Sequence, residues 1–319
     1  MVNIAVLDDY QHIAEKLAPW RELPSGTEVQ FFYEPILDSD ILVERLSPFD
    51  VIVTMRERTR LPEFVLERLP SLQLIAGTGR TQAHIDLSAA KRLGIVVCGT
   101  DGSGTSTVEL TWGLILAITR GIPQEEIALR AGKWQQTVGI GLEGKTMALL
   151  GLGRIGSGVA RIAPGFGMDL IAWTPTLTQE RASKSGARCV EWEDLFIQAD
   201  ILSIHIPLNR STRGLVGSKE LALLKSSSYL INTSRGPIVD EEALLESLSD
   251  ARIAGAALDV YDNEPLLAKH PFTQLKNVVL TPHLGYVTTE NLTIMYTQCV
   301  ENIRNFLNEK PSRVLELPL

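Results

Sequence analysis

The sequence is short of cysteine, of basic charge and of long apolar runs. Only three cysteines occur in 319 residues, Cys98, Cys189 and Cys299, far apart and with no CxxC pair or Cys/His cluster at zinc spacing. That count argues against a disulfide framework or a structural zinc site and suits a reducing cytosol. No run approaches the ~20 apolar residues of a membrane span, and the stretch Trp112–Ile118 is far too short. Asp8 and Asp9 directly follow the first apolar run, which argues against a signal peptide. With 30 Lys and Arg against 38 Asp and Glu, the formal charge is −8, so no overall field draws the chain to nucleic acid or an anionic membrane. A soluble cytoplasmic protein with neither type of partner is expected.

What is present is alternation. Asn3–Leu7, Glu28–Tyr33, Asp50–Met55, Leu72–Ala76 and Ile95–Cys98 read as strands, mostly rich in β-branched or aromatic residues and bounded by turn residues. Between them Ile13–Trp20, Ile41–Leu46, Glu63–Leu69 and Leu87–Leu93 space their apolar residues helically. Two consecutive helices follow, Thr107–Arg120 and Gln124–Lys133. A second series of strands then runs through Thr146–Leu150, Asp169–Trp173, Ile201–Ile206, Tyr229–Asn232, Ile253–Leu258 and Val278–Thr281. Thr289–Asn308 closes the pattern as a helix. Strands alternating with helices imply right-handed βαβ units, so the spacing predicts two doubly wound parallel-sheet domains with a cleft between them. The expected division is a substrate domain from residues 1–100 and 286–319, and a dinucleotide-binding domain over 101–285.

The strongest local motif is Gly151-Leu-Gly-Arg-Ile-Gly156, directly after the strand ending at Leu150 and opening a helix read to about Pro164. A lone GxGxxG is weak; between a buried strand and a helix it is a dinucleotide-binding signal. Gly151 permits the tight turn, Gly153 lets a pyrophosphate approach the backbone, and Gly156 lets helix and strand pack closely. Arg154 and Ile155 belong to the same turn, and Arg154 adds a cation.

One expected piece is absent. NAD-selective folds usually carry Asp or Glu about 20 residues past the first glycine, to bind the ribose hydroxyls. Here the strand ends Ala172-Trp173-Thr174-Pro175-Thr176, so Thr174 stands where the carboxylate belongs. A 2′-phosphate is not repelled, the two threonine hydroxyls offer it donors, and Arg181 lies close by, although an exposed helical arginine is ordinarily a solvated charge. The cofactor is therefore NAD or NADP, with the preference open.

Three further segments place polar groups just after strands, where open α/β sheets bind ligands. They are Ile231-Asn-Thr-Ser-Arg-Gly236, Leu258-Asp-Val-Tyr-Asp-Asn-Glu-Pro265 and Leu280-Thr-Pro-His-Leu-Gly285. Reduction of a keto acid needs a cation for the carboxylate and carbonyl, which the planar fork of Arg235 suits. It also needs an acid for the carbonyl oxygen, a role the imidazole of His283 suits because histidine side chains can give and take a proton under working conditions. Glu264 beside that imidazole would orient it and favour its protonated form. Singly, each has an ordinary structural reading; His12, His84 and His270 keep theirs.

On these segments, together with Gly77-Thr-Gly79, Val108-Glu109 and His205-Ile-Pro207 with Thr212, the chain resembles the D-isomer-specific 2-hydroxyacid dehydrogenases over essentially its whole length. The resemblance implies a Rossmann cofactor domain and a flavodoxin-like substrate domain. It implies a small 2-keto or 2-hydroxy acid substrate, a D product, a homodimer, and Arg235, Glu264 and His283 as the catalytic set. It further implies cofactor contacts at Asp259, Thr233, Thr212, Gly285 and the backbone around His205 and Pro207. The amides near Gly77, Thr78 and Gly79 would hold the substrate carboxylate, and Arg56 matches a position that reaches substrate in some relatives. Three departures touch specificity: Thr174, the segment Arg80-Thr-Gln82, and Tyr286 where a small residue is typical. Glu264 stands where formate-type enzymes of this fold carry Gln, which argues against that branch. The alternative from another class is a dinucleotide-sensing interaction protein without significant turnover.

Overall fold

Short strands that are apolar on both faces suit parallel sheets covered on both sides, and among the described residues the ladders between the named strands are parallel. In a computed structural model, which describes residues 1–315, the chain forms two compact units. One is Met1–Ser103 with the segment from Val287 onward; the other is Gly104–Tyr286.

The first unit holds β1 (Val2–Val6), β2 (Thr27–Phe31), β3 (Val51–Thr54), β4 (Leu74–Gly77) and β5 (Val96–Cys98), in the order β2-β1-β3-β4-β5. This is the flavodoxin-like order. One face packs Ala5, Leu46, Ile52, Leu66 and Ile75 into a core beneath the helix Ser39–Leu46 and its neighbours. The final helix, Thr289–Leu307, belongs to this unit. It buries Leu292, Met295, Tyr296, Cys299, Val300 and Ile303, one stripe at helical spacing. Tyr296 meets Trp20 edge to face at 6.2 Å, and Asn302 Nδ2 donates to Gly99 O at 2.8 Å.

The second unit holds β6 (Thr146–Leu150), β7 (Asp169–Trp173), β8 (Arg188–Cys189), β9 (Ile201–Ile204), β10 (Tyr229–Asn232), β11 (Gly255–Leu258) and β12 (Val278–Leu280). Their order is β12-β11-β10-β9-β6-β7-β8, the Rossmann arrangement with β12 added at one edge. Alternate residues feed two cores: Ala148 and Leu150 enter one, Met147 and Leu149 the other. The chain runs from β6 to β7 and β8 on one side, then crosses to β9 on the other, so the switch point lies between β6 and β9. The helix Thr105–Arg120 covers one face through Val108, Trp112 and Ile115 and ends at Gly121 in the left-handed region. The next helix, Ile122–Arg130, buries no residue.

Several elements differ from the expected bounds, such as Glu63–Leu66 for Glu63–Leu69 and Ile201–Ile204 for Ile201–Ile206, and three show why. The helix over Ile13–Trp20 shrinks to Ala14–Leu17, because Ala18 turns extended ahead of Pro19. The helix after the glycine loop stops at Ala160, and a short 3-10 turn, Ala163–Phe166, takes over around Pro164, whose ring and missing N–H break the ladder. β8 is a two-residue edge strand that pairs with β7 alone in the sheet, with Cys189 N also donating to Gln179 Oε1 at 2.9 Å.

In the first unit His84 is buried with neither ring nitrogen hydrogen-bonded, and desolvation lowers its pKa from 6.5 to about 4. An unfolded chain takes up a proton below pH 6.5 that the folded site refuses, so this part of the stability is complete above 6.5 and drains away as pH falls toward 4. His84→Leu removes the titration. Urea denaturation at neutral pH and near pH ~5 should show a smaller loss of stability for the variant than for the unmodified protein; equal losses would contradict this.

Candidate active site

The site in the second unit is built at the ends of β10, β11 and β12. Asp259, immediately after β11, is fully buried; its Oδ1 accepts from Thr281 Oγ1 and from Leu284 N, both at 2.6 Å, and its Oδ2 accepts from Gly285 N at 2.8 Å. Burial raises the Asp259 carboxyl above its ordinary value, while these donors pull the other way. The bonds fold Pro282–Gly285 back on itself and place His283 at φ +54°, a left-handed conformation uncommon outside glycine. His283 N donates to Thr281 O at 3.0 Å within this bend. The imidazole Nδ1 lies 2.6 Å from Glu264 Oε2, both side chains being part-buried. Glu264 Oε1 accepts from Tyr261 N at 3.0 Å. The Tyr261 hydroxyl donates to Leu258 O and Thr281 O, tying the ends of β11 and β12 together. Tyr286 is buried, with its ring edge-on to the imidazole at 5.6 Å.

Arg235 sits after β10 in a loop closed by Asn232: Ser234 N donates to Asn232 Oδ1 and Asn232 Nδ2 donates to Arg235 O, both at 3.0 Å. Arg235 Nη1 donates to Ser234 O at 2.7 Å. A Cβ on Gly236 would lie 2.1 Å from the Tyr261 carbonyl carbon, so this loop and the one carrying Glu264 touch backbone to backbone.

At the β6/β9 switch point, Gly151 has φ +107° and faces the His205–Ile206 peptide; a Cβ there would lie 2.6 Å from His205 C. A Cβ on Gly156 would lie 2.1 Å from Gly151 O, whereas one on Gly153 meets nothing within 4 Å. The turn is thus closed beneath Gly151 and Gly156 and open at Gly153, Arg154 is exposed, and Ile155 is half-buried. The His205 side chain lies 2.8 Å from Ser203 Oγ, and burial lowers its pKa to about 4, leaving it neutral. The Thr212 hydroxyl donates to Pro207 O at 2.7 Å and closes that turn. The Thr233 hydroxyl lies 2.9 Å from that of Thr111. Thr174 is half-buried after β7, and Arg181 Nη1 donates to Thr176 O at 2.8 Å, which draws the guanidinium to this loop.

In the first unit, Arg56 follows β3 at φ +50°, and its N–H donates to Thr78 Oγ1 at 2.7 Å. A Cβ on Gly79 would lie 1.8 Å from Arg56 Nη1, so Gly79 makes room for the guanidinium, and Glu57 lies 3.7 Å from it. One expectation needs correction here. Thr78 N donates to Thr54 O at 3.1 Å and Gly79 N to Thr100 Oγ1 at 2.8 Å, so both amides are spent inside the fold. The strand-end Gly77, with Thr78 and Gly79 after it, supplies the frame; among the described residues it is the next amides, of Arg80 and Thr81, that donate to nothing.

Residues 112–285 match the family model described as D-isomer specific 2-hydroxyacid dehydrogenase, NAD binding domain, which is more than half of the chain. The chain belongs to this family. A glyoxylate reductase of Thermococcus litoralis is 38% identical over 289 residues, covering 85% of this chain and 87% of its own length. A D-3-phosphoglycerate dehydrogenase of Methanocaldococcus jannaschii is 37% identical across 100% of this chain, which spans 60% of that longer protein. Among solved structures, a phosphoglycerate oxidoreductase from Vibrio cholerae O395 superposes with a TM-score of 0.93 at 37% identity, covering 97% of this chain and 100% of its own.

For a 2-hydroxyacid dehydrogenase the open backbone at Gly153 is the fit test for a dinucleotide, and it is met: the position lacks a side chain although the protein alone has room for one. Asn232 and Tyr261 are the positioning residues that motif reading does not single out; only their places inside the NTSRG and LDVYDNEP runs hint at them. Among the described residues no His/Cys/Asp/Glu cluster suits a metal, and no helix is long and apolar enough to cross a membrane.

The glycines make a paired prediction. Gly153→Ala should leave the melting temperature unchanged yet weaken NADH binding, because only the ligand needs that space. Gly156→Ala should lower the melting temperature itself, because its Cβ meets Gly151 O. Thermal unfolding with and without NADH separates the two; equal behaviour would contradict the assignment.

Proposed function

We propose that the protein reduces a small 2-keto acid of the glyoxylate or hydroxypyruvate kind to the D-2-hydroxy acid. The observation that carries this is the His283–Glu264 pair at 2.6 Å, held on strained backbone beside Arg235's loop. A dinucleotide, when bound, supplies the hydride that adds to the carbonyl carbon. The residues proposed to hold it are Gly151, Gly153, Arg154, Ile155 and Gly156, Thr174, Thr212, Thr233, Asp259, Gly285 and the backbone of His205 and Pro207. With its Nδ1–H engaged by Glu264, the His283 imidazolium has Nε2–H to give to the carbonyl oxygen and is left as the neutral imidazole. Arg235 binds the carboxylate and carbonyl oxygen through its fork. In the first unit, the amides of Arg80 and Thr81, framed by Gly77–Gly79, and the Arg56 guanidinium are proposed to receive the carboxylate end. Tyr286, buried against the imidazole, restricts the substrate to a short side chain.

NADPH is proposed to serve at least as well as NADH, because Thr174 offers no negative charge and Arg181 is bonded to the same loop. A homodimer is proposed through the helix Ile122–Arg130 and the segment after it, where Ile127, Leu129, Trp134 and Val138 are 66, 58, 74 and 99% exposed. Three free thiols suit a cytoplasmic setting.

His283→Ala should lower kcat by about 10²–10⁴-fold with cofactor affinity nearly unchanged; near-normal turnover would refute the proton role. Glu264→Gln should move the pH–rate profile. His205→Gln should not, since burial already keeps that ring neutral. Thr174→Asp should swing the kcat/KM ratio toward NADH. An unmodified enzyme using NADH alone, with that ratio unmoved by Thr174→Asp, would assign the ribose contact elsewhere.

A further inference from the structure

We infer that Gln82 is a positioning residue for substrate affinity, acting by fixing the peptide plane that carries the Arg80 amide; this rests on the proposed carboxylate cradle. Gln82 is 4% exposed, and its Nε2 donates to two successive carbonyls, Thr78 O at 3.2 Å and Gly79 O at 3.0 Å. In a trans peptide the C=O and the following N–H point in opposite directions. The first bond therefore turns Gly79 N–H away from Gln82, where it meets Thr100 Oγ1 at 2.8 Å. The second acts in the same way on the next peptide. Gly79 O is held by Gln82 Nε2 and also accepts from Thr100 N at 3.0 Å. Arg80 N–H must then point out of the loop, away from both. The Arg80 side chain does not compete for that space, because its Nε and Nη2 are bonded to Asp101 Oδ1 at 2.9 and 2.6 Å.

Two features show that the clamp is built rather than incidental. Its seat exists only because residue 77 is glycine: a Cβ there would lie 2.5 Å from the Gln82 carboxamide. Gly79 has φ +90°, so the peptide plane that Gln82 holds is one that side-chain-bearing residues rarely adopt. Meanwhile Gln82 Oε1 is buried without a partner. A buried orphan acceptor is costly to a fold. A side chain retained only for packing could be apolar and would avoid that cost, so the donor end is what the position keeps. The amide orientation is set by its neighbours, since reversing it would aim Oε1 at two carbonyl oxygens.

The test compares the unmodified enzyme with Gln82→Met, Gly77→Ala and the double variant. Gln82→Met keeps the volume, removes the donor and removes the orphan acceptor. KM for glyoxylate should rise about tenfold while kcat, KM for NADPH and the melting temperature stay near their original values. Gly77→Ala, which displaces the same carboxamide, should raise KM similarly. The double variant should be no worse than the poorer single one, because both break one device. An unchanged KM in a normally folded Gln82→Met overturns the inference, as does a rise matched by a fall in melting temperature and in NADPH affinity. If the unmodified protein turns over no keto acid, the functional reading fails. Titration with oxamate in the presence of NADPH then still decides the role of Gln82, through a weaker or an unchanged Kd in Gln82→Met.

Discussion

A buried carboxylate holds the site of the second unit together. Asp259 collects a hydroxyl and two backbone donors from the segment that follows β12. Hydrogen bonds to a charged group contribute roughly 1.5–3 kcal/mol each, whereas a non-glycine residue in a sparsely populated conformation costs on the order of 1–3 kcal/mol. Three such bonds therefore outweigh the strain at His283, and the raised carboxyl of Asp259 shows that desolvation takes back part of the gain. The knot acts together with His283 N–H on Thr281 O and the Glu264 carboxylate on the ring to keep His283 in its left-handed backbone setting.

The two carboxylates near the imidazole divide the work by environment. Asp259 is surrounded by donors and shapes backbone, while Glu264 is part-exposed and faces the ring directly. Tyr261 links them: its N–H orients Glu264, and its hydroxyl joins the β11 and β12 ends. Burial and the nearby Asp259 and Glu264 carboxylates raise that phenol's pKa, so it remains a donor throughout the working range. The remaining close contacts are made possible by missing side chains. Gly151 against the His205 peptide and Gly236 against Tyr261 bring strand ends nearer than any Cβ allows.

Much of this could be read from residues alone, and the exceptions share a cause. β6, β7 and β10 have the bounds read from the sequence, because the apolar runs within them, Met147–Leu150, Leu170–Trp173 and Tyr229–Ile231, are buried or half-buried. The pairing of His283 with Glu264 follows from two motifs, although they lie 19 positions apart. What local pattern does not carry is the outcome of long-range competition for hydrogen bonds. Nothing in Gly77-Thr-Gly79 reveals that Thr100, 21 residues on, takes the Gly79 amide. Nor does it reveal that Gln82 spends its donor on the loop's own carbonyls. β8 escaped for a similar reason, since two residues at a sheet edge have no periodicity and exist through their partner.

The central claim is stereospecific reduction of a short keto acid at an Arg235–His283 site. The most direct measurement is NADH and NADPH oxidation against a panel of keto acids, followed by chiral analysis of the product from hydroxypyruvate. The account predicts consumption of cofactor with glyoxylate and hydroxypyruvate in preference to branched or aromatic keto acids, and D-glycerate as the product. An L product, or no oxidation with any keto acid under either cofactor, would contradict it.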